Sequence, residues 1–187
     1  MGLSKRLLFV ALVPPENIQN QVTKIKEYFA QEYNSSHALK SVPHITLQPP
    51  FKWATENLSL VQESLEIFAQ KCSTFPITLS GFSAFPPRVI YVNVVKTPEL
   101  LKIQKDLIEF TETTLGIVHP PSKMRPFCPH VTVAFRDLSK PNFRSAWLEF
   151  RERSLHLEFT VSQLTLLIHS GRGWDICNEF AFSKLRE

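Results

Sequence analysis

Two short segments carry the residue types from which phosphate chemistry is built: Pro43-His44-Ile45-Thr46-Leu47 and Pro129-His130-Val131-Thr132-Val133. In an extended chain, successive side chains point to opposite faces. His44 and Thr46 therefore share one face while Ile45 and Leu47 share the other, and His130 and Thr132 stand in the same relation to Val131 and Val133. Each segment offers an imidazole beside a hydroxyl, backed by aliphatic side chains that a core would hold. One such copy, with its proline and both aliphatic flanks, arises by composition in roughly 0.004 of chains of this kind, and two in about one in 10⁵. A lone copy would more often be a satisfied histidine at a strand edge; the pair points to function.

Two imidazoles and two hydroxyls meeting in one cleft suit phosphodiester cleavage. A neutral imidazole can take a proton from water while an imidazolium protonates the leaving ribose oxygen. Imidazole titrates near pH 6.5, so both forms are available around neutrality. The threonine hydroxyls can donate to non-bridging phosphate oxygens and hold the phosphorus in line. A zinc site would want three or four ligands, including carboxylate, cysteine or further histidine, and neither segment has one at ligand spacing. No metal and no cofactor are expected.

Other residues could serve the same cleft. If the strands stay regular, Gln48 and Arg136 continue the parity of the histidines, and Arg136 would suit a phosphate clamp. Lys52, Arg125 and Arg172 are basic residues in loops near the two segments. Phe9, Tyr91, Phe127 and Trp174 could stack on a base, although an aromatic residue in a strand is more often core. Phe9 and Tyr91 hold similar places in the first strands of the two halves. Lys52, Arg136, Phe9 and Tyr91 are taken as candidate substrate contacts. Asp137 suits a surface ion pair, and His37, His119, His156 and His169 read as structural.

The elements that must position these residues come in a repeated order. Residues 6–13 form an apolar run with strand character, and Pro14-Pro15-Glu16 opens a helix whose buried face is Ile18, Val22, Ile25 and Phe29. The first histidine strand follows, stopped by Pro49-Pro50. A helix to about Lys71 comes next, with Leu58, Val61, Leu65 and Phe68 on one side, and then a strand over 75–85. The order restarts with a strand over 89–95. Thr97-Pro98-Glu99 opens a helix that closes at Leu115-Gly116, and a proline-rich loop leads to the second histidine strand. A helix through Phe143, Trp147 and Phe150 and strands over 155–161, 164–169 and 174–182 complete the chain. His44 precedes Phe75 by 31 residues and His130 precedes Phe159 by 29. This predicts an α+β fold of duplicated, two-lobed form. Two antiparallel sheets would face a central cleft, with helices outside and pseudo-twofold symmetry. Residues 1–187 would make one bilobal domain with halves of about 1–86 and 87–187.

With 43% hydrophobic and 20% charged residues, the 187-residue chain has an ordinary soluble composition. The formal charge of +4 favours an anionic partner without naming one. Cys72, Cys128 and Cys177 form no C-x-x-C pair and no even set, which fits a reducing compartment. The apolar run 7–13 is too short to span a membrane. A cytoplasmic monomer is expected.

The paired His44-Ile45-Thr46-Leu47 and His130-Val131-Thr132-Val133, with an opening strand Arg6-Leu-Leu-Phe-Val-Ala-Leu-Val-Pro14, resemble the two-histidine (2H) phosphoesterase superfamily. Within it the similarity is to the 2′-5′ RNA ligase or RNA 2′,3′-cyclic phosphodiesterase group, over essentially the whole chain. The resemblance implies hydrolysis of a 2′,3′-cyclic phosphate, leaving a 2′-phosphate, or of a 2′-5′ linkage, with reverse 2′-5′ ligation open to it. The histidines would then be acid and base, the threonines would hold the phosphate, and the partners would be RNA ends or nucleotide cyclic phosphates. Many members carry an arginine five residues after the second histidine, where this chain has Phe135 and places Arg136 one later. The alternative reading is a module that binds RNA ends or nucleotides with little catalysis.

Overall fold

The structure, a computed structural model, describes residues 4–183. The first half runs β1 (Lys5–Leu12), α1 (Glu16–Tyr33), β2 (Ile45–Ala54), α2 (Leu58–Ala69) and β3 (Phe75–Phe85). The rest is β4 (Val89–Val94), α3 (Pro98–Leu115), a short α4 (Pro120–Met124), β5 (His130–Ala134), α5 (Lys140–Phe150), β6 (His156–Val161), β7 (Gln163–His169) and β8 (Trp174–Ala181). Local chemistry sets the helix ends. Thr97 accepts a hydrogen bond from the Leu100 N–H and precedes Pro98, while Gly116 closes α3 in the left-handed conformation at φ 67°. Ser139 caps α5 in the same way by accepting from the Asn142 N–H.

The strands make two four-stranded antiparallel sheets, ordered β2-β1-β7-β8 and β5-β4-β3-β6. The α+β architecture read from the sequence is thus the observed one. The sheets do not divide the chain at its midpoint, however. β3 lies in the second sheet beside β4, and β7 returns to the first sheet beside β1. The helices link the sheets as well: α1 packs against β5 and α3 against β2, so each histidine strand is backed by the leading helix of the other half. One continuous apolar core joins both sheets to the helices. Ile45, Leu47, Val131 and Val133 belong to it at 0–1% exposure, and burial of such side chains contributes about 1.5–3 kcal/mol each.

Three segments depart from the sequence reading. β2 does not stop at Pro49-Pro50 but continues to Ala54. It is an edge strand paired only with β1, where a missing N–H leaves no ladder bond unmade. Residues 37–40 (His37–Lys40) wind into a 3₁₀ turn, and Pro120–Met124 makes one turn of helix within the stretch read as loop. Finally, β2 carries two bulges opposite β1, between the Leu8/Phe51 and Val10/Gln48 pairs and again before Ala11/Thr46. Together they insert two extra residues, so Thr46 and Lys52 share a face while Gln48 turns inward. Among the described residues no helix is long and apolar enough to cross a membrane.

Candidate active site

Each histidine sits at the start of its strand: His44 immediately precedes β2, and His130 is the first residue of β5. The alternation anticipated from the spacing is present, with His44, Thr46, His130 and Thr132 half-buried and the residues between them sealed in core. The two rings are tethered alike. His44 Nδ1 lies 2.7 Å from the carbonyl oxygen of Val42, and His130 Nδ1 lies 2.7 Å from that of Cys128, in each case two residues back. A carbonyl oxygen only accepts, so Nδ1 carries the proton and donates. In the neutral ring Nε2 is then left with its lone pair, ready to take a proton.

Burial sets the charge state of both rings. It pushes the His44 imidazolium down to about 4, with the nearby charges of Lys26 and of His130 adding in the same direction and the bond to Val42 opposing. His130 is also lowered, chiefly by burial. The larger displacement is at His44. Both rings are neutral at pH 7 in the free protein, and His44 senses the charge of His130 across the gap between the sheets.

Aromatic rings pack against both imidazoles. The Phe9 ring centre is 4.9 Å from that of His44, and Tyr91 is 5.1 Å from His130. By register Tyr91 stands opposite Thr132, whereas Phe9 is two residues from Ala11, the residue opposite Thr46. The two aromatics are thus one row out of equivalence, yet each reaches its histidine. Both are buried, at 3% and 4% exposure, so their contact is with the imidazoles and leaves little face open to a ligand. Phe85 was not singled out by the sequence. It is 40% exposed, with its ring 5.2 Å from His130 and 4.6 Å from Tyr91. Its position at the end of β3, next to the proline pair, was the available signal.

A cavity of about 240 Å³ opens at this point, walled by Thr46 from one sheet and by Phe85 and His130 from the other, with Phe127, Arg125 and His119 around it. Two larger hollows, of about 570 and 540 Å³, lie elsewhere. The small one is the place where residues of both repeated segments face a common space.

The segment that carries the His44 tether is held from beneath. Lys26 of α1 is 2% exposed and donates to the carbonyls of Ala38 (3.0 Å) and Ser41 (2.9 Å). Burial pulls its ammonium down to about 8. From the other half, the Asp137 carboxylate accepts from Ser35 Oγ and from the backbone N–H groups of Ser36 and His37, each at 2.9 Å. Burial raises the Asp137 carboxyl, but these donors outweigh it and hold it below its usual value. Asp137 thus ties a loop rather than pairing with a surface cation. A buried lysine on a helix face gave no distinguishing sequence signal.

The remaining candidates are dispersed. β5 ends at Ala134, and Arg136 follows in the left-handed region at φ 61°. The alternation fails there, and Arg136 is exposed, 3.4 Å from His37 Nε2 and stacked over Phe135. Gln48 faces core at 1% exposure and accepts from Thr111 Oγ of α3 at 3.0 Å. Lys52 lies at the far end of β2, opposite Leu7, and lines a separate hollow. Trp174 packs edge-on to Phe9, and Arg172 is exposed in the turn before β8. Among the described residues, no three His, Cys, Asp or Glu side chains gather as a metal-binding set.

The chain is similar to known proteins in sequence and in fold. A protein of Geobacillus sp. (strain WCH70), named as a candidate phosphoesterase, is 28% identical over 174 residues, covering 91% of this chain and 93% of the relative. A similarly named protein of Bacillus cytotoxicus is 26% identical over 95% of this chain and 97% of its own length. The crystal structure of TT0787 of Thermus thermophilus superposes with a TM-score of 0.69 at 20% identity, covering 96% of this chain and 98% of that one. That of E. coli LigT complexed with 3′-AMP gives 0.68 at 19%, covering 97% and 100%. These two likenesses establish the fold. The family model described as 2′-5′ RNA ligase superfamily matches residues 14–173, both histidine segments included, and the chain therefore belongs to the 2′-5′ RNA ligase superfamily.

Proposed function

We propose that the protein is a phosphoesterase that opens RNA-type 2′,3′-cyclic phosphates to 2′-phosphates, with 2′-5′ phosphodiesters as related substrates and 2′-5′ ligation as the reverse reaction. The observation that carries this reading is the matched pair of tethered imidazoles, His44 and His130, on segments whose Thr46 and His130 line a cavity bounded by both sheets. His44, the more strongly lowered of the two, suits the base: its Nε2 takes a proton from water as the water oxygen bonds to phosphorus. The bond from phosphorus to O3′ breaks, and His130 gives that oxygen a proton, leaving the phosphate on O2′. An anionic phosphate between the rings favours the charged form of His130, offsetting the burial that lowers it. Thr46 and Thr132 donate to the non-bridging oxygens, where a charge-directed hydrogen bond is strongest. Phe85 and Phe127 offer ring faces for the base of the terminal nucleotide, and Arg125 a cation at its rim. The 3′-AMP, NADP⁺ and ATP complexes of E. coli LigT show that this fold can hold nucleotides.

In this reading the two histidines suffice, and turnover of a nucleoside 2′,3′-cyclic phosphate persists with excess chelator. His44→Ala and His130→Ala each lower kcat by roughly 10²–10⁴, with the 2′-phosphate product identified by phosphorus NMR. Undiminished turnover in either variant, or tight binding with no product from the wild type, would replace this reading with another.

A further inference from the structure

We propose that the hollow at the far end of the first sheet is a second phosphate subsite, which takes a backbone phosphate of a single-stranded RNA whose cyclic end lies at the histidines. The inference rests on the hydrolysis reading above and extends it from nucleotides to oligonucleotides. The hollow, of about 540 Å³, is lined by Lys5, Arg6, Lys52, His169 and Ser170, among others. All three cations are exposed, and among the described residues none of them forms an ion pair and none of the lining groups is acidic. Three uncompensated positive charges around one concavity focus potential on an anion. His169 adds a donor: its Nδ1 accepts the Gly171 N–H at 3.2 Å, which places the ring proton on Nε2.

What makes this an extension of the cleft is the register of the sheet. Lys52 pairs with Leu7, and His169 pairs with Trp174. On β1, Leu7 has the parity of Phe9 and Ala11, the face on which His44 and Thr46 stand. Rings run without a break from one place to the other, with centres 4.9 Å apart from His44 to Phe9, 4.6 Å from Phe9 to Trp174 and 5.0 Å from Trp174 to His169. From the Ala11–Thr46 row to the Leu7–Lys52 row is four residues, or about 13 Å along the strand. A 2′,3′-cyclic phosphate ends its strand, so every further phosphate lies on the 5′ side. A span of about 13 Å covers no more than about four stacked nucleotides at ~3.4 Å each. The half-buried Trp174 stands between the two anion sites, where a base could lie against it, a feature with no use to an acidic peptide. The second sheet has no counterpart, because β5 ends at Ala134 while β2 runs on to Ala54. The extension is therefore one-sided, as a strand with a single free direction requires.

The test compares a nucleoside 2′,3′-cyclic phosphate with a hexaribonucleotide bearing the same cyclic end, in the wild type and in Lys5→Gln/Lys52→Gln. The expected result is a higher kcat/KM for the hexamer in the wild type, with the hexamer-to-monomer ratio falling about tenfold or more in the variant. In fluorescence anisotropy with a product-ended hexamer, the slope of log K against log salt should become shallower by about 1–2. Turnover of both substrates with an equal ratio in both proteins would overturn the subsite while leaving the hydrolysis reading intact. Absence of turnover on either substrate would overturn the hydrolysis reading, and the salt slope would then decide the subsite alone. Binding of a polyglutamate peptide in place of the hexamer would overturn it too.

Discussion

At the residue scale, the two histidines are equal in sequence and in tether but unequal in electrostatics, and the inequality has measurable signs. The folded His44 resists protonation down to about pH 4, whereas an unfolded histidine takes its proton near 6.5. Between those values the unfolded state binds more protons, so stability falls as pH drops through that window, by at most about 3 kcal/mol from this residue. Urea unfolding at pH 7 and pH 5 should show a decline that is smaller in His44→Gln. Lys26 is one source of the shift, and Lys26→Met removes its positive charge. The His44 pKa should then rise, and the acid limb of the rate profile should move to higher pH. An unmoved limb would show that Lys26 acts on the loop alone. The alternation of the histidine and threonine pairs with core residues was legible because a two-residue period is written directly in the sequence. Lys26 and Phe85 were not, because what distinguishes them is the neighbour they meet.

At the element scale, the 3₁₀ turn His37–Lys40 and the residues around it are anchored twice, from within their own half by Lys26 and across the molecule by Asp137. Asp137→Ala leaves the Ser36 and His37 N–H groups without their acceptor and should lower stability by about 1–3 kcal/mol in urea unfolding. Asp137→Asn keeps one acceptor oxygen and should recover part of that loss. Such anchoring explains why the fold was easier to read than its details. Periodicity and caps located α1, α3, α5 and nearly every strand, since Ile18, Val22 and Phe29 or Thr97 and Gly116 act locally. The errors fell where a tertiary choice overrode a local rule. Pro49-Pro50 would end a central strand but is tolerated at an edge. Bulges in β2 redirected Gln48, and the left-handed turn at Arg136 cancelled an alternation that held as far as Val133.

At the scale of the whole molecule, the sheets are completed by an exchange, with β3 crossing to β4 and β7 returning to β1. The hairpin that returns also packs against the segment that precedes the first histidine. A Cβ built on Gly173, before β8, would sit 2.5 Å from the Lys40 carbonyl oxygen. Gly173→Ala should therefore cost about 1–3 kcal/mol as the two backbones are forced apart. Arg172→Ala next door should stay within about 0.5 kcal/mol, both read from thermal unfolding. The same return strand has a consequence for biosynthesis. β1 pairs early with the nearby β2, but its second neighbour, β7, is made more than 150 residues after it. Until then β1 offers a bare hydrogen-bonding edge to any chain it meets, and its distant closure makes assembly slow for a protein of this length. Between the synthesis of β1 and that of β7 the nascent polypeptide is thus exposed to mispairing, and the cleft face that these two strands share closes only afterwards.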